Sequence, residues 1–434
     1  MSSCYTPPPL LAKPCITMTD AVFQSDFLQT LQARGYIHQI THPAELDAAA
    51  KAGVVAGYIG FDATAPSLHV GSLIQIMMLR RLQQAGGRPV VIMGGGTTKV
   101  GDPTGKDASR PQLTDATIQS NIASIRTVFE KFLTFGDAPT DAILIDNDEW
   151  LSKYGYIEFL RDYGTHFTVN RMLAFDSVKL RLEREQPMTF LEFNYMLMQS
   201  VDFLELNRRH KVTLQMGGSD QWGNIVSGVD LVRRVDQKAA FGLTTPLLTT
   251  ASGGKMGKTA QGAIWLNAEQ LSPYDYWQFW RNAEDGDVGR FMRLFTDLPL
   301  DEIARFEALE GAAINDAKIE LATRATEMLH GHDAAQDAWM TAKLAFEEGQ
   351  SAAGLPTVEL PRSDIFGAMI AAVATKAGLT ASNGEARRLA QGGGLRLNDV
   401  VITDGAHLLS ESDLKDTVLK LAAGKKKIML VRPV

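Results

Sequence analysis

Apolar residues along this chain follow two alternating periods. Short unbroken runs at Val54–Phe61, Pro89–Met93, Ala142–Ile145 and Val212–Met216 read as strands buried on both faces. Between them apolar positions recur at helical spacing, as at Val70, Leu73, Met77 and Leu82, and at Ile118, Ile122, Ile125, Phe129 and Phe132. Further helical segments are expected around 150–163 and 190–204 and from about Gln221, with His69 opening the helix that contains Val70. Strands alternating with helices in this way predict an α/β fold with a doubly wound, largely parallel sheet. Ligands of such sheets sit at the carboxyl ends of the strands.

The pattern changes downstream. Residues 268–345 are helical throughout, which predicts a second, α-helical domain, and 346–361, with Gly349, Gly354, Pro356 and Pro361, read as a linker. Residues 362–434 predict a small α+β module. In it Ser382-Asn-Gly-Glu385 has the spacing of a capping box, and Leu395–Ile402 reads as a hairpin turning at Asn398-Asp399. The opening residues 1–20, with Pro7-Pro8-Pro9 and Pro14, are expected to be disordered. The α/β body is therefore assigned to 21–267.

Composition narrows the class. A chain of 434 residues with 45% hydrophobic and 21% charged residues is an ordinary multi-domain globular protein. No apolar run approaches the roughly 18 residues of a membrane helix, so no membrane association is expected. The net charge of −7 hides an asymmetry: residues 362–434 hold 11 Lys and Arg against 7 Asp and Glu. A basic terminal module on an acidic body is compatible with local RNA contact. Both cysteines, Cys4 and Cys15, precede the body, which fits a reducing, cytoplasmic setting and leaves no thiolate metal site.

Candidate chemistry clusters at the strand ends. Tyr58-Ile-Gly-Phe-Asp-Ala-Thr-Ala-Pro-Ser-Leu-His-Val-Gly-Ser72 is a strand–loop–helix whose helix N-terminus suits phosphate; an ordinary helix cap has the same local pattern. Gly94–Lys106 is not a phosphate-binding P-loop. Val100 stands where its first glycine belongs and Asp107 where its hydroxyl belongs, leaving a glycine-lined turn with a carboxylate at Asp102. Tyr195, Gln199 and Asp202 fall at i, i+4 and i+7 on one helix face, and an Asp buried there needs a hydroxyl or cationic partner. Gly217–Gly223 is another strand-to-helix corner, with Asp220 and Gln221 at its tip. Lys255-Met-Gly-Lys-Thr259 sits on a glycine-flanked loop, where two lysines three apart suit a clamp on polyphosphate. The remaining histidines have no metal-ligand spacing, and no protein-bound metal is expected.

Taken in order, these segments resemble the bacterial-type tyrosyl-tRNA synthetases, class I aminoacyl-tRNA synthetases, from about residue 25 to the C-terminus. His69-Val-Gly-Ser72 matches the family's His-Ile-Gly-His signature and Lys255-Met-Gly-Lys-Thr259 its Lys-Met-Ser-Lys-Ser signature. Tyr58-Ile-Gly-Phe-Asp62, Gly101–Lys106 and Gly217–Asn224 match further family segments. The departures are Ser72 for the second histidine, and Gly257 and Thr259 in the lysine motif.

The resemblance implies a Rossmann-like catalytic domain, a tRNA-contacting helical domain and a C-terminal S4-like RNA-binding module in which Arg387 and Arg388 meet RNA. It implies that Tyr58 and Asp202 bind the tyrosine phenol, that Asp102, Tyr195 and Gln199 hold the α-ammonium, and that Gln221 lies near the carboxylate. Thr64, His69, Lys255 and Lys258 would act on the pyrophosphate. Gly60, Asp62, Ser72, Gly218 and Asp220 would contact ATP together with the two lysines. The implied partners are L-tyrosine, ATP with Mg²⁺ carried on the nucleotide, tRNA(Tyr) and a second copy of the chain in a homodimer. A tryptophanyl enzyme shares the architecture, and the Tyr58/Asp202 pair argues against it. A silent RNA-binding relative would not need His69, Lys255 and Lys258, and a generic nucleotidyltransferase leaves the terminal module unexplained.

Overall fold

The structure, a computed structural model, describes residues 22–104, 113–254, 256–259, 262–346, 355–415, 417–424 and 427–434. The N-terminal tail, Gly105, Lys106 and Lys255 therefore lie outside the described residues. A six-stranded sheet is built from β1 (Gln39–Ile40), β2 (Ala56–Phe61), β3 (Arg88–Met93), β4 (Ile143–Asp146), β5 (Leu214–Gly218) and β6 (Phe241–Thr245). Their spatial order is β1-β6-β5-β2-β3-β4.

All pairings in that sheet are parallel except β1 with β6. The strands alternate their side chains between two apolar layers. Ile59, Phe61, Val91 and Met93 pack with Leu73, Met77, Ile118 and Phe129 on one face. Tyr58, Val90 and Ile92 pack with Val201, Phe203, Leu206 and Val229 on the other. Burial on both sides is why these strands read as continuous apolar runs. The chain leaves β2 towards β3 and β4, then returns to lay β5 on the opposite side of β2. The crevice between the carboxyl ends of β2 and β5 is thus the sheet's switch point, where ligands of such folds bind.

Several elements were not foreseen. Strand β6, Phe-Gly-Leu-Thr-Thr, has only two large apolar residues, and the antiparallel edge strand β1 is two residues long, so neither stands out in the sequence. The helix expected over 190–204 is two pieces, Phe190–Phe193 and Tyr195–His210, separated at Asn194. Downstream, Pro273–Arg281, Val288–Phe295, Leu300–Glu307, Ile314–His330 and His332–Phe346 form the expected helical region. Its Tyr276, Trp280 and Phe291 share one hydrophobic core with Phe27, Leu28, Leu73 and Phe129.

The last residues of the expected linker, Thr357–Leu360, form a strand paired in parallel with the chain's final strand, Lys427–Pro433. That final strand belongs to a five-stranded sheet over a core of Ile370, Val373, Leu395, Leu419 and Val431. The predicted hairpin turns at Asn398 and Asp399, with φ of 47° and 70°. The predicted capping box is half met: Ser382 Oγ accepts from the Glu385 N–H, but the Glu385 carboxylate reaches Ala381 rather than Ser382.

Candidate active site

Thirteen predicted residues line a single cleft of about 530 Å³ at the switch point. They are Tyr58, Gly60, Asp62, Thr64, His69, Ser72, Asp102, Tyr195, Gln199, Asp202, Gly218, Asp220 and Gln221. Lys255 lies outside the described residues; Lys258 contributes its backbone to a two-stranded ribbon with Gly262–Ala263, and its side chain is not described. Arg387 and Arg388 are exposed on the helix Asn383–Gln391, away from this cleft.

The floor of the cleft is a buried polar cluster. Asp202 is 3% exposed and accepts from Trp150 Nε1 at 2.8 Å and Asn147 Nδ2 at 2.9 Å. Burial raises its carboxyl pKa to about 7, although the two donors pull it down; Asp62 and Asp146 add to the rise. The Tyr58 ring stacks at a tilt on Phe203 with centroids 5.3 Å apart, and its buried hydroxyl has no hydrogen-bond partner among the described residues. Burial, then the nearby Asp202 charge, drives the Tyr58 phenol well above its ordinary pKa, so it remains a neutral donor. A buried hydroxyl without a partner costs about 1–3 kcal/mol, so a ligand hydroxyl here relieves an existing penalty.

Beside it runs a layer of carboxylates and amides. Tyr195 Oη donates to Asp62 Oδ2 at 3.2 Å, and Thr97 Oγ1 donates to Asp62 Oδ1 at 2.9 Å. Burial, then Asp62 and Asp102, also raises the Tyr195 pKa well above the ordinary phenol value. Asp102 Oδ2 accepts from Gln221 Nε2 at 2.8 Å, and Asp102 Oδ1 accepts from the Thr104 N–H at 2.9 Å. Asn224 Nδ2 donates to both Gln199 Oε1 and Gln221 Oε1, at 2.9 and 3.1 Å. Asp62, Asp102 and Asp202 together make this end of the cleft anionic, which suits an ammonium group.

The opposite wall is the helix Val70–Gln84. His69 caps it, with Nδ1 accepting from the Gly71 N–H at 3.0 Å. That bond puts the neutral ring's proton on Nε2. A Cβ at Gly71 would sit 2.6 Å from the His69 ring, so the ring lies back over the first turn only because residue 71 is glycine. Gly257, of the lysine motif, has φ of +90°, and a Cβ there would meet the Gly71 nitrogen and Val70 Cγ1 at 3.0 Å. The two signature segments are in contact.

Several residues were missed in the sequence. Asn147 and Trp150 follow β4, more than fifty positions before Asp202, and no local pattern links them. Thr97 lies in the glycine turn, Asn224 ends a quoted segment without a role, and Gln75 faces the cleft three residues beyond Ser72, donating to Thr245 Oγ1 at 3.1 Å. The spacing His69, Ser72, Gln75 down one helix face was the available signal for the last.

Residues 51–347 match the family described as tRNA synthetases class I (W and Y). The chain belongs to these class I tRNA synthetases. Within the family it groups with bacterial tyrosine–tRNA ligases. It is 72% identical to the tyrosine–tRNA ligase of Caulobacter sp. strain K31, over 95% of this chain and 99% of that one. It is 59% identical to that of Rhodospirillum rubrum, over 94% and 98%. Among solved structures, a C-terminally truncated mitochondrial tyrosyl-tRNA synthetase of Aspergillus nidulans superposes with a TM-score of 0.67. That pair is 31% identical over 74% of this chain and 95% of the other. The segments that match the two signatures adjoin where Gly257 lies against Gly71 and Val70.

Proposed function

We infer that this synthetase joins L-tyrosine to ATP, forming tyrosyl-adenylate and pyrophosphate, and then transfers tyrosine to the 3′ end of tRNA(Tyr). The observation that carries the amino-acid choice is the unpaired, buried Tyr58 hydroxyl beside the Asp202 carboxylate. A phenol between them accepts from one and donates to the other. An indole ring offers a donor but no acceptor, and a phenyl ring offers neither, leaving both groups unpaired.

The attacking tyrosine carboxylate is ionised at neutral pH, so the first step needs no general base. What accelerates it is in-line alignment on the α-phosphorus and stabilisation of charge on the departing pyrophosphate. Asp102, Tyr195 and Gln199 hold the α-ammonium, Gln221 steers the carboxylate, and Gly60, Asp62, Gly218 and Asp220 orient the nucleotide. Thr64, His69, Lys255 and Lys258 donate to the β- and γ-phosphates, with Ser72 a shorter donor where the family signature has histidine. Among the described residues no three carboxylate, imidazole or thiolate side chains converge on one point. A Mg²⁺ carried on the nucleotide would be held by the phosphate oxygens of ATP and its own waters. In the second step a terminal ribose hydroxyl attacks the adenylate carbonyl and AMP leaves.

The reading extends to the rest of the chain as a catalytic domain over 21–267, a tRNA-contacting helical domain over 268–345 and an S4-like RNA-binding module over 362–434. The exposed Arg387 and Arg388 support the last. A homodimer is supported by apolar side chains exposed between β4 and β5, including Ile157, Val169, Leu180 and Phe190. The described helices include none long and apolar enough to cross a membrane, and the reaction belongs in the cytoplasm, where tRNA is charged. Amino-acid-dependent ATP–pyrophosphate exchange tests the assignment. Tyrosine alone should support it, and exchange as fast with tryptophan or phenylalanine would overturn it.

A further inference from the structure

Both segments that carry the ATP-side signatures are mounted on one helix of the helical region, Val288–Phe295. At its N-terminal end Asp287 is buried, 2% exposed. Its Oδ2 accepts from the Ala251 N–H at 2.8 Å and its Oδ1 from Arg290 Nη2 at 2.6 Å. Arg290 also donates to the Thr249 carbonyl, and Ser252 Oγ donates to Glu284 Oε1 at 2.6 Å. The stem leading into the lysine motif is thus gripped at three points by residues 284–290. This stem is a tight turn, with the Thr250 N–H donating to the Gly254 carbonyl at 2.8 Å, and residues 251–254 are exposed. It has no core of its own, and burying a carboxylate is costly unless it is well paired. Asp287 directs that pairing at a loop backbone N–H.

The far end of the same helix holds the other signature. Arg34, on the separate helix Asp26–Arg34, braces this end by donating to the carbonyls of Arg293 and Thr296 at 3.1 Å and of Leu298 at 2.7 Å. Arg81, in the last turn of the helix capped by His69, donates to the Thr296 carbonyl at 2.5 Å and pairs with Asp297. The ring closes where Gly257 lies against Gly71. The helix Val288–Phe295 therefore fixes the distance between the lysine motif and the histidine helix.

We propose that Asp287 and Arg290 are positioning residues for adenylate formation, acting through the stem Thr249–Gly254 to set the lysine motif against the His69 helix. This rests on the tyrosine-activating function inferred above. The grip acts on ATP-side chemistry and not on tyrosine, whose Tyr58/Asp202 pocket lies on other elements.

The test measures tyrosine-dependent pyrophosphate exchange and tyrosine binding with the full chain. Asp287→Ala should lower kcat roughly ten- to a hundredfold, the scale of a misplaced reacting group, while tyrosine affinity stays within about twofold. Asp287→Asn, which keeps an acceptor for the Ala251 N–H, should recover most of the loss. In a Lys258→Ala background, Asp287→Ala should cost less than about threefold, because its effect passes through the same loop. A full, multiplicative loss in both backgrounds, or a loss that tracks weakened tyrosine binding, would overturn the proposal. So would an unchanged kcat. Should Asp287→Ala not fold, Arg290→Met and Ser252→Ala carry the same comparison from more exposed positions. Absence of tyrosine-dependent exchange in the unaltered protein would instead refute the inferred function.

Discussion

Trp150 Nε1 donates to Asp202 Oδ1 at 2.8 Å, across a gap of 52 positions in the chain. With Asn147 on the other oxygen, it orients a carboxylate that burial pushes towards the neutral acid. Hydrogen bonds to the charged form lower a pKa, so removing one moves Asp202 further above 7. Trp150→Phe should therefore weaken tyrosine binding at neutral pH by about 1.5–3 kcal/mol, the worth of a bond to a charged group. The affinity-against-pH curve should also move to higher pH. Tyrosine titrations across pH 6–9 check both; an unmoved curve would mean that the indole only fills space.

The same carboxylate makes the unliganded protein sensitive to pH. Its folded pKa of about 7 lies above its ordinary value of 3.8. Between those values the folded state holds a proton that the unfolded chain has lost. Stability from this group therefore falls as pH rises from about 4 to about 7 and is level above that. The full span is on the order of 4 kcal/mol. Asp202→Asn removes the titration. Its Tm relative to the unaltered protein should be more favourable at pH 8 than at pH 4.5, while tyrosine activation is lost. Equal Tm differences at both pH values would refute the buried charge.

Much of this molecule was legible in its sequence. Runs such as Val90–Met93 are apolar because both faces of a parallel sheet are covered, and that local cause leaves a local trace. That Tyr58, Asp102, Asp202 and Gln221 lie in segments with recognisable flanks (an apolar strand, a glycine-lined turn, a helix face and a strand-to-helix corner) is why they could be singled out, and the fold brings all four to one cleft. Asn147 and Trp150 were not, because they matter only once the sheet order brings the end of β4 beside the helix Tyr195–His210. The helical region was read correctly as helical, but its shared core with Phe27 and Leu73 depends on three-dimensional packing that periodicity does not encode. The strand Thr357–Leu360 lay hidden in a stretch whose Gly and Pro residues read as linker.

Tyr58 trades stability for recognition. Its hydroxyl is buried and unpaired when the cleft is empty, so Tyr58→Phe should stabilise the unliganded protein, by about 1 kcal/mol at the low end of the penalty for such a group. In the complex it loses a bond to the substrate phenol. Exchange kinetics should show kcat/KM for tyrosine down roughly tenfold and phenylalanine unchanged, narrowing the discrimination between them. A variant that discriminates as well as the parent would place the recognition elsewhere.

Gly257 offers a way to disturb the phosphate end without touching a donor. Its φ of +90° is strained for any other residue, and a Cβ would press on the Gly71 nitrogen and Val70 Cγ1 at 3.0 Å. Gly257→Ala must shift the lysine motif away from the first turn of the His69 helix. Where φ is positive, a Gly to Ala change costs more than about 1 kcal/mol locally, a cost the lysine motif can shed in part by moving off the His69 helix. The expected signature is a fall in kcat and a rise in KM for ATP, with tyrosine affinity and Tm nearly unchanged. Gly257→Ser, which installs the residue of the family signature, should behave in the same direction, because the strain comes from the Cβ and not from what it carries. Serine restoring or raising kcat while alanine lowers it would show that a hydroxyl at this position outweighs the contact with Gly71.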